Sequence, residues 1–287
     1  MKRIILVVLL VSIAALAGIV RSYSKTGRNI SDLPKVVSGE SGSQGEARDE
    51  IRKTYELAAG AKVEVEGING AVKIETSDSR TAEIYIERTA KSAEALQRRK
   101  IIIENTATSL TIRGEKGDAG LISRIFGSSP HEKVTLKLPR QISLVAHGVN
   151  GAVTVGEIDG PVEVHGVNGK VEIAQATGSA EFHGINGNIS VALTRLEKEA
   201  VSLNGVNGNI ELRLSEGVNV ELEAHGMNGR VSSDLPDFVI DEQRHGNYRA
   251  RVGSGGNSIS ANGINGNIRL SRAASAAVTT DASKAKA

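Results

Sequence analysis

Gly184-Ile185-Asn186-Gly187 sits between two short runs of alternating apolar and polar residues, Ala180-Glu181-Phe182-His183 and Asn188-Ile189-Ser190-Val191. The same Gly-aliphatic-Asn-Gly stretch occurs seven times. The other copies are Gly67-Ile68-Asn69-Gly70, Gly148-Val149-Asn150-Gly151, Gly166-Val167-Asn168-Gly169, Gly205-Val206-Asn207-Gly208, Gly226-Met227-Asn228-Gly229 and Gly263-Ile264-Asn265-Gly266. Glycine at the first and last positions allows positive φ or close backbone approach, and Asn tolerates the left-handed region better than most residues.

Alignment on the asparagine exposes the pattern. Six residues before it stand Val63, Leu144, Val162, Ala180, Val201, Leu222 and Ile259; four before stand Val65, Ala146, Val164, Phe182, Leu203, Ala224 and Ala261. Three after stand Val72, Val153, Val171, Ile189, Ile210, Val231 and Ile268; five after stand Ile74, Val155, Ile173, Val191, Leu212, Ser233 and Leu270. Only Ser233 breaks the apolar rows. Each copy therefore reads as strand, turn, strand, with period 2 on both sides.

An isolated Asn-Gly would suggest a two-residue hairpin. Here the turn recurs after 18, 18, 21 and 21 residues from Asn150 to Asn228, and then after 37. A near-constant period with identical residues in register predicts an all-β β-solenoid of stacked 18–21-residue rungs, each β-paired to the next. One rung buries too little apolar surface to offset its ordering entropy, so rungs must stack to fold. A β-meander or sandwich using the same strands is the alternative.

The remaining sequence frames this array. Lys2 and Arg3 precede an apolar run from Ile4 to Val20, and Ala15-Leu16-Ala17 has the small-x-small pattern of a cleavage site. Residues 1–20 are read as a signal peptide or N-terminal anchor, with residues 4–20 as a possible membrane tether. Either reading places the rest outside the cytoplasm. Residues 21–52 are expected to be a flexible linker and 272–287 a disordered tail. The repeat domain spans 53–271, with an inserted segment at about 76–140. Within the insert, Ala82–Arg88, Ser109–Arg113 and Lys133–Pro139 read as strands, Lys91–Lys100 as a short helix ending in a solvated basic cluster, and 114–132 as a loop.

Composition narrows the function. The 287 residues carry 35 basic and 33 acidic side chains, for a formal charge of +2, and aromatics are only 2%. Neither a basic surface nor a stacking platform for nucleic acid is expected. There is no cysteine, which excludes disulfides, thiolate metal sites and cysteine nucleophiles.

The seven in-register copies, with the opening strand-turn-strand and the polar excursion ending at Leu138-Pro139, resemble a bacterial β-strand-repeat domain family called "putative adhesin". The chain is also similar to the related auto-transporter adhesin head domain named for Gly-Ile-Asn, which stands here as Gly67-Ile68-Asn69, Gly184-Ile185-Asn186 and Gly263-Ile264-Asn265. The resemblance covers roughly Tyr55 to Ser271. It implies an exported or envelope-associated protein without established catalytic residues.

Three residues before the asparagine stand Glu66, His147, His165, His183, Asn204, His225 and Asn262, so four of the six histidines share one row. Two residues earlier again lie Glu163 and Glu181. Alternation points both rows away from the core. Imidazole and carboxylate at strand spacing suit Zn²⁺ or Cu²⁺. The plainer reading is a solvated polar ladder, so no metal and no cofactor is expected. No nucleophile signature is present, and Asp234, Asp237 and Asp241 lack a ligand pattern. The expectation is a non-catalytic scaffold, adhesin-like, with an unknown envelope or surface partner. A periplasmic metal- or glycan-binding protein using the Glu/His ladder, and a β-helix carbohydrate enzyme, are the alternatives.

Overall fold

The computed structural model describes residues 47–116, 129–194 and 199–273. The first four strands are β1 (Ala47–Glu56), β2 (Ala61–Glu66), β3 (Val72–Ser77) and β4 (Thr81–Ala90). Helix α1 (Ala93–Gln97) follows, then β5 (Arg99–Thr106), β6 (Ser109–Lys116) and β7 (His131–Pro139). The second and third repeats give β8 (Ile142–His147), β9 (Val153–Ile158), β10 (Val162–His165) and β11 (Val171–Ala176). The fourth and fifth give β12 (Ala180–His183), β13 (Ile189–Leu193), β14 (Glu199–Asn204) and β15 (Ile210–Leu214). The sixth gives β16 (Val220–His225) and the short β17 (Val231–Ser233). A hairpin, β18 (Phe238–Arg244) and β19 (Asn247–Val252), precedes the last repeat, β20 (Asn257–Asn262) and β21 (Ile268–Arg272).

These strands form two large, open sheets. The 10-stranded sheet runs β1-β4-β7-β3-β9-β11-β13-β15-β21-β17, and the 11-stranded sheet β18-β19-β16-β20-β14-β12-β10-β8-β2-β6-β5. Every repeat gives its first strand to the larger sheet and its second to the smaller. Strands of neighbouring repeats pair in parallel, with Val162 beside Ala180 and Val171 beside Ile189. The apolar rows of both sheets meet in one continuous core. That core is narrow and aliphatic, with Phe182 its bulkiest fully buried side chain.

The two glycines of the repeat do different work. Gly205, first in its turn, sits at φ 62, where an L side chain is strained. Gly187, last in its turn, is there for space: a Cβ on it would lie 2.2 Å from the Gly169 carbonyl oxygen of the preceding repeat. The asparagine does not use the left-handed region, contrary to expectation. His245 is the only non-glycine residue with positive φ among the described residues. Asn serves through its side chain instead. Asn150 Nδ2 donates to Asn69 Oδ1 at 3.0 Å, and Asn168 and Asn186 each donate to the Asn before at 3.1 Å. Asn207, Asn265 and Asn228 continue the line.

That order reveals a departure from sequence order. The last repeat inserts between the fifth and the sixth, with β20 between β14 and β16 and β21 between β15 and β17. The sixth repeat is thus the outermost. It is also the one carrying Ser233, and its Met227 and Val231 are each 6% exposed, where their counterparts in the other repeats are at most 1%. The single break in the apolar rows marks the end of the stack, where burial demands less.

Several expected boundaries shift. The linker reading reached residue 52, but β1 begins at Ala47. Its ten residues pair antiparallel with β4, and Ile51 and Tyr55 pack against the core. The expected helix over 91–100 shrinks to α1, capped by Ser92 Oγ accepting from the Ala95 N–H at 3.2 Å. Arg99 and Lys100 instead open β5, because the run Ile101-Ile102-Ile103 pairs with β6 and its alternate members cover the core. His131 and Glu132 belong to β7 rather than to a loop, and 238–252 is a hairpin. Residues 117–128, the proposed leader and most of the linker and tail lie outside the described residues. No described helix is long and apolar enough to cross a membrane.

Both ends of the stack replace the partners that a further repeat would supply. Between repeats, the Asn N–H donates to a carbonyl of the neighbour, as Asn150 N does to Ile68 O at 2.8 Å. Asn69 has no such neighbour. Its N–H donates to Glu132 Oε2 at 2.9 Å, and its Nδ2 to Pro130 O at 2.7 Å. Glu132 is wholly buried and pairs with Arg99 Nε at 2.6 Å, and Arg99 also donates to Gly67 O. At the other end, Met227 N donates to Gly246 O at 2.8 Å, Gly226 N to Asn247 Oδ1 at 3.3 Å, and Tyr248 OH to Gly229 O at 3.0 Å.

Candidate functional site

The histidine row lies on the outer face of the 11-stranded sheet. Strand register places Glu66, His147, His165, His183, Asn204, Asn262 and His225 side by side in that order. Alternation accounts for it, because Leu144, Ala146 and their equivalents take the inner face. The His165 and His183 rings stack with centroids 5.2 Å apart; His147 meets His165 edge-on at 6.4 Å.

The row's contacts are those of a polar ladder. His165 Nε2 lies 3.7 Å from Glu163 Oε2, and His147 Nδ1 lies 4.0 Å from Glu66 Oε1. Asn204 Nδ2 sits 3.2 Å from His183 Nε2 and 2.9 Å from Ser202 Oγ. Asn262 Nδ2 donates to Asn204 Oδ1 at 3.2 Å. Glu181 is exposed beside Glu163, across the β10–β12 pair. His225 stands apart at the outer repeat, two residues from Glu223. The carboxylate of Glu223 holds Arg249 Nη2 at 2.7 Å, and that hydrogen bond raises the Arg249 guanidinium pKa from its ordinary value. Among the described residues, no three His, Asp or Glu side chains gather as a metal site would require. The histidines come together in pairs along a line, not around a point.

The turn residues Gly67, Asn69, Gly70 and their six equivalents form a straight edge beside this face, the asparagine amides linked as described. The sequence reading did not anticipate the outer face of the other sheet. There a groove of about 700 Å³ runs across five repeats, from Lys170 to Arg230. Its floor includes a second asparagine row two residues beyond the turn asparagine. Asn188 Oδ1 accepts from Asn209 N at 2.9 Å, Asn209 Oδ1 from Asn267 N at 3.0 Å, and Asn267 Oδ1 from Arg230 N at 3.0 Å. Glu172, Ser190, Glu211 and Arg269 line the adjacent row. The signal was legible as Asn188, Asn209 and Asn267 at one repeat position. The buried Arg99–Glu132 pair was not, because nothing local distinguishes Arg99 from its basic neighbours.

No family model matches the chain. No curated protein matches it either. Among solved structures, a putative cell adhesion protein from Clostridium sporogenes ATCC 15579 is similar at 14% identity and a TM-score of 0.39. That match covers 79% of this chain and 100% of the other. A putative adhesin from Parabacteroides distasonis ATCC 8503 is similar at 11% identity and a TM-score of 0.32, covering 77% and 97%. A putative lipid binding protein from the same organism is similar at 12% identity and a TM-score of 0.24, covering 77% and 96%. Likenesses at this level carry no argument about a ligand.

Proposed function

We propose that the two sheets are opposite walls of one β-solenoid, and that the chain is an exported, non-catalytic scaffold of the envelope or surface with an adhesin-like role. The relation to the head domain named for Gly-Ile-Asn belongs to the same proposal. The observation that carries it is the register of the side-chain rows. The turn asparagine recurs one strand apart, roughly 4.8 Å, across seven repeats, and polar groups of similar kind fill the rows beside it. Such rows suit an extended partner that is contacted many times weakly, rather than a small substrate held at one point. Residues 1–20 would direct export, and the following segment would tether the repeat domain outside the cytoplasm.

Fractionation of expressing cells, followed by protease treatment of intact cells, tests this. Protein in the envelope fraction that is cut on intact cells, or once the periplasm is opened, supports the reading, and a cytosolic pool would sink it. Turnover of polysaccharides by the purified protein would favour the carbohydrate-enzyme alternative. The groove of the smaller sheet supports a second reading, recognition of a linear glycan by rows of amide and hydroxyl groups. Calorimetry with a panel of oligosaccharides checks it, with Asn209→Asp, in the groove, expected to weaken binding and His165→Ala, on the other sheet, to leave it unchanged. The reverse would move the site to the Glu/His ladder.

A further inference from the structure

Among the described residues, the two open sheets end in four edge strands, and these differ. In the 10-stranded sheet one edge is β17, only three residues long. The other is β1, whose Arg48, Asp49, Glu50, Arg52 and Lys53 make a charged border of the kind that discourages pairing. The edges of the 11-stranded sheet are β18 and β5. β18 presents Val239 and Ile240, 43% and 40% exposed, the only large apolar side chains so exposed among the described residues. β5 presents Ile101, Ile102 and Ile103, each half-buried.

We propose that β18 of one molecule pairs with β5 of a second copy, continuing the 11-stranded sheet head to tail. Strand polarity fits. β18 runs opposite to β19, and β19 opposite to β16. All pairs from β16 to β6 are parallel, and β5 runs opposite to β6. A second copy in the same orientation therefore brings β5 antiparallel to β18.

The faces fit as well. Phe238 and Ile240 lie across from Val252 and Ala250, on the core side; Val239 lies across from Arg251, on the outer side. On β5, Ile101 and Ile103 pack against the core, and Ile102 lies across from Arg113 on the outer side. Setting Ile240 opposite Ile101 aligns Val239 with Ile102 and Phe238 with Ile103, each on matching faces. Asp241, the extra residue of a β-bulge between Ile240 and Glu242, follows on the outer face; it already holds Arg251 at 3.1 Å and comes beside the exposed Lys100. Apolar and opposite-charge cross-strand pairs are the unit of sheet stability. Helix α1 packs Ala95 and Leu96 against Ala90 and Ala47 of β4 and β1, on the other sheet. The contact uses different surfaces on the two partners, so it propagates into linear chains rather than closing as a dimer.

The full chain has no cysteine, which gives a clean test. Oxidation of the variant carrying both Val239→Cys and Ile102→Cys should yield a ladder of covalent multimers. Each single-cysteine variant alone should form no covalent link, and a mixture of the two should stop at a covalent dimer. In sedimentation equilibrium, Asp241→Lys and Lys100→Glu should each weaken association about three- to tenfold, and the pair together should restore it. Circular dichroism confirms that each variant is folded. Monomer at every concentration, cross-linking of Val239→Cys with itself, or failure of the charge-swapped pair to recover would overturn the proposal.

Discussion

The two ends of the repeat stack are finished by different means. At the first repeat, a buried Arg99–Glu132 pair supplies the acceptor for Asn69 and the donor for Gly67. At the sixth repeat, the outermost, a hairpin supplies Gly246 O, Asn247 Oδ1 and Tyr248 OH, all uncharged. Both solve the same problem, which is that a corner without a neighbour leaves its amides and carbonyls unpartnered. The charged solution sits in the interior of the fold, where removing one partner strands the other. The neutral one sits under partial solvent, where water replaces what is lost. Between the ends, neither device is needed, because each repeat is the partner of the next.

The largest effect should come from the middle. Gly187→Ala places a methyl against the Gly169 carbonyl, with backbone on both sides and no room to yield. It should cost about 4 kcal/mol or more in guanidinium unfolding. Gly229→Ala meets Gly266 O at 2.0 Å in the outermost repeat, which can move outward. It should cost about 1–3 kcal/mol. Equal losses would mean that the ends are as constrained as the centre.

Next comes the contrast between the caps. Glu132→Ala leaves the buried Arg99 guanidinium without its countercharge, with only Gly67 O to accept from it, and strands the Asn69 N–H; it should lose about 3–5 kcal/mol. Tyr248→Phe removes one neutral donor and should lose about 1 kcal/mol. Thermal or denaturant unfolding of both variants checks the ranking; comparable values would undo the distinction between the ends.

Smaller still are the side-chain rows. Asn168→Ala breaks two amide contacts, to Asn150 and from Asn186, and should cost about 1–2 kcal/mol. His225→Ala, at the exposed end of the histidine row, should cost under about 1 kcal/mol. If the histidine change proves the larger, the histidine row holds the fold more than the asparagine line does.

The smallest effect lies on the outer face of the 10-stranded sheet. The hydrogen bond from Lys73 Nζ, 2.7 Å away, holds the Glu75 carboxyl below its ordinary pKa. A depressed carboxylate favours the folded state above its unfolded pKa, and that contribution fades as pH falls through the lower folded value. Both side chains are exposed, so melting should not change. An NMR titration should show the Glu75 midpoint rising in Lys73→Ala.

The repeat alone dictated much of this molecule. Period-2 rows on both sides of a fixed Gly-aliphatic-Asn-Gly turn determined that the chain is all-β, which residues face inward, and that four of the histidines share an outer row. Those are local consequences of strand geometry, and identical residues in register state them seven times. The ends were not legible in the same way. Arg99 and Glu132 are 33 residues apart, and only the pairing of β7 to β3, and of β5 through β6 to β2, brings them together beside the first repeat. The insertion of the last repeat between the fifth and sixth likewise depends on which outer strand tolerates exposure. Ser233 hinted at it, but pairing partners between equivalent repeats are interchangeable at the level of sequence. The tertiary structure decided the order, because a parallel strand reads its neighbour's register and not its position in the chain.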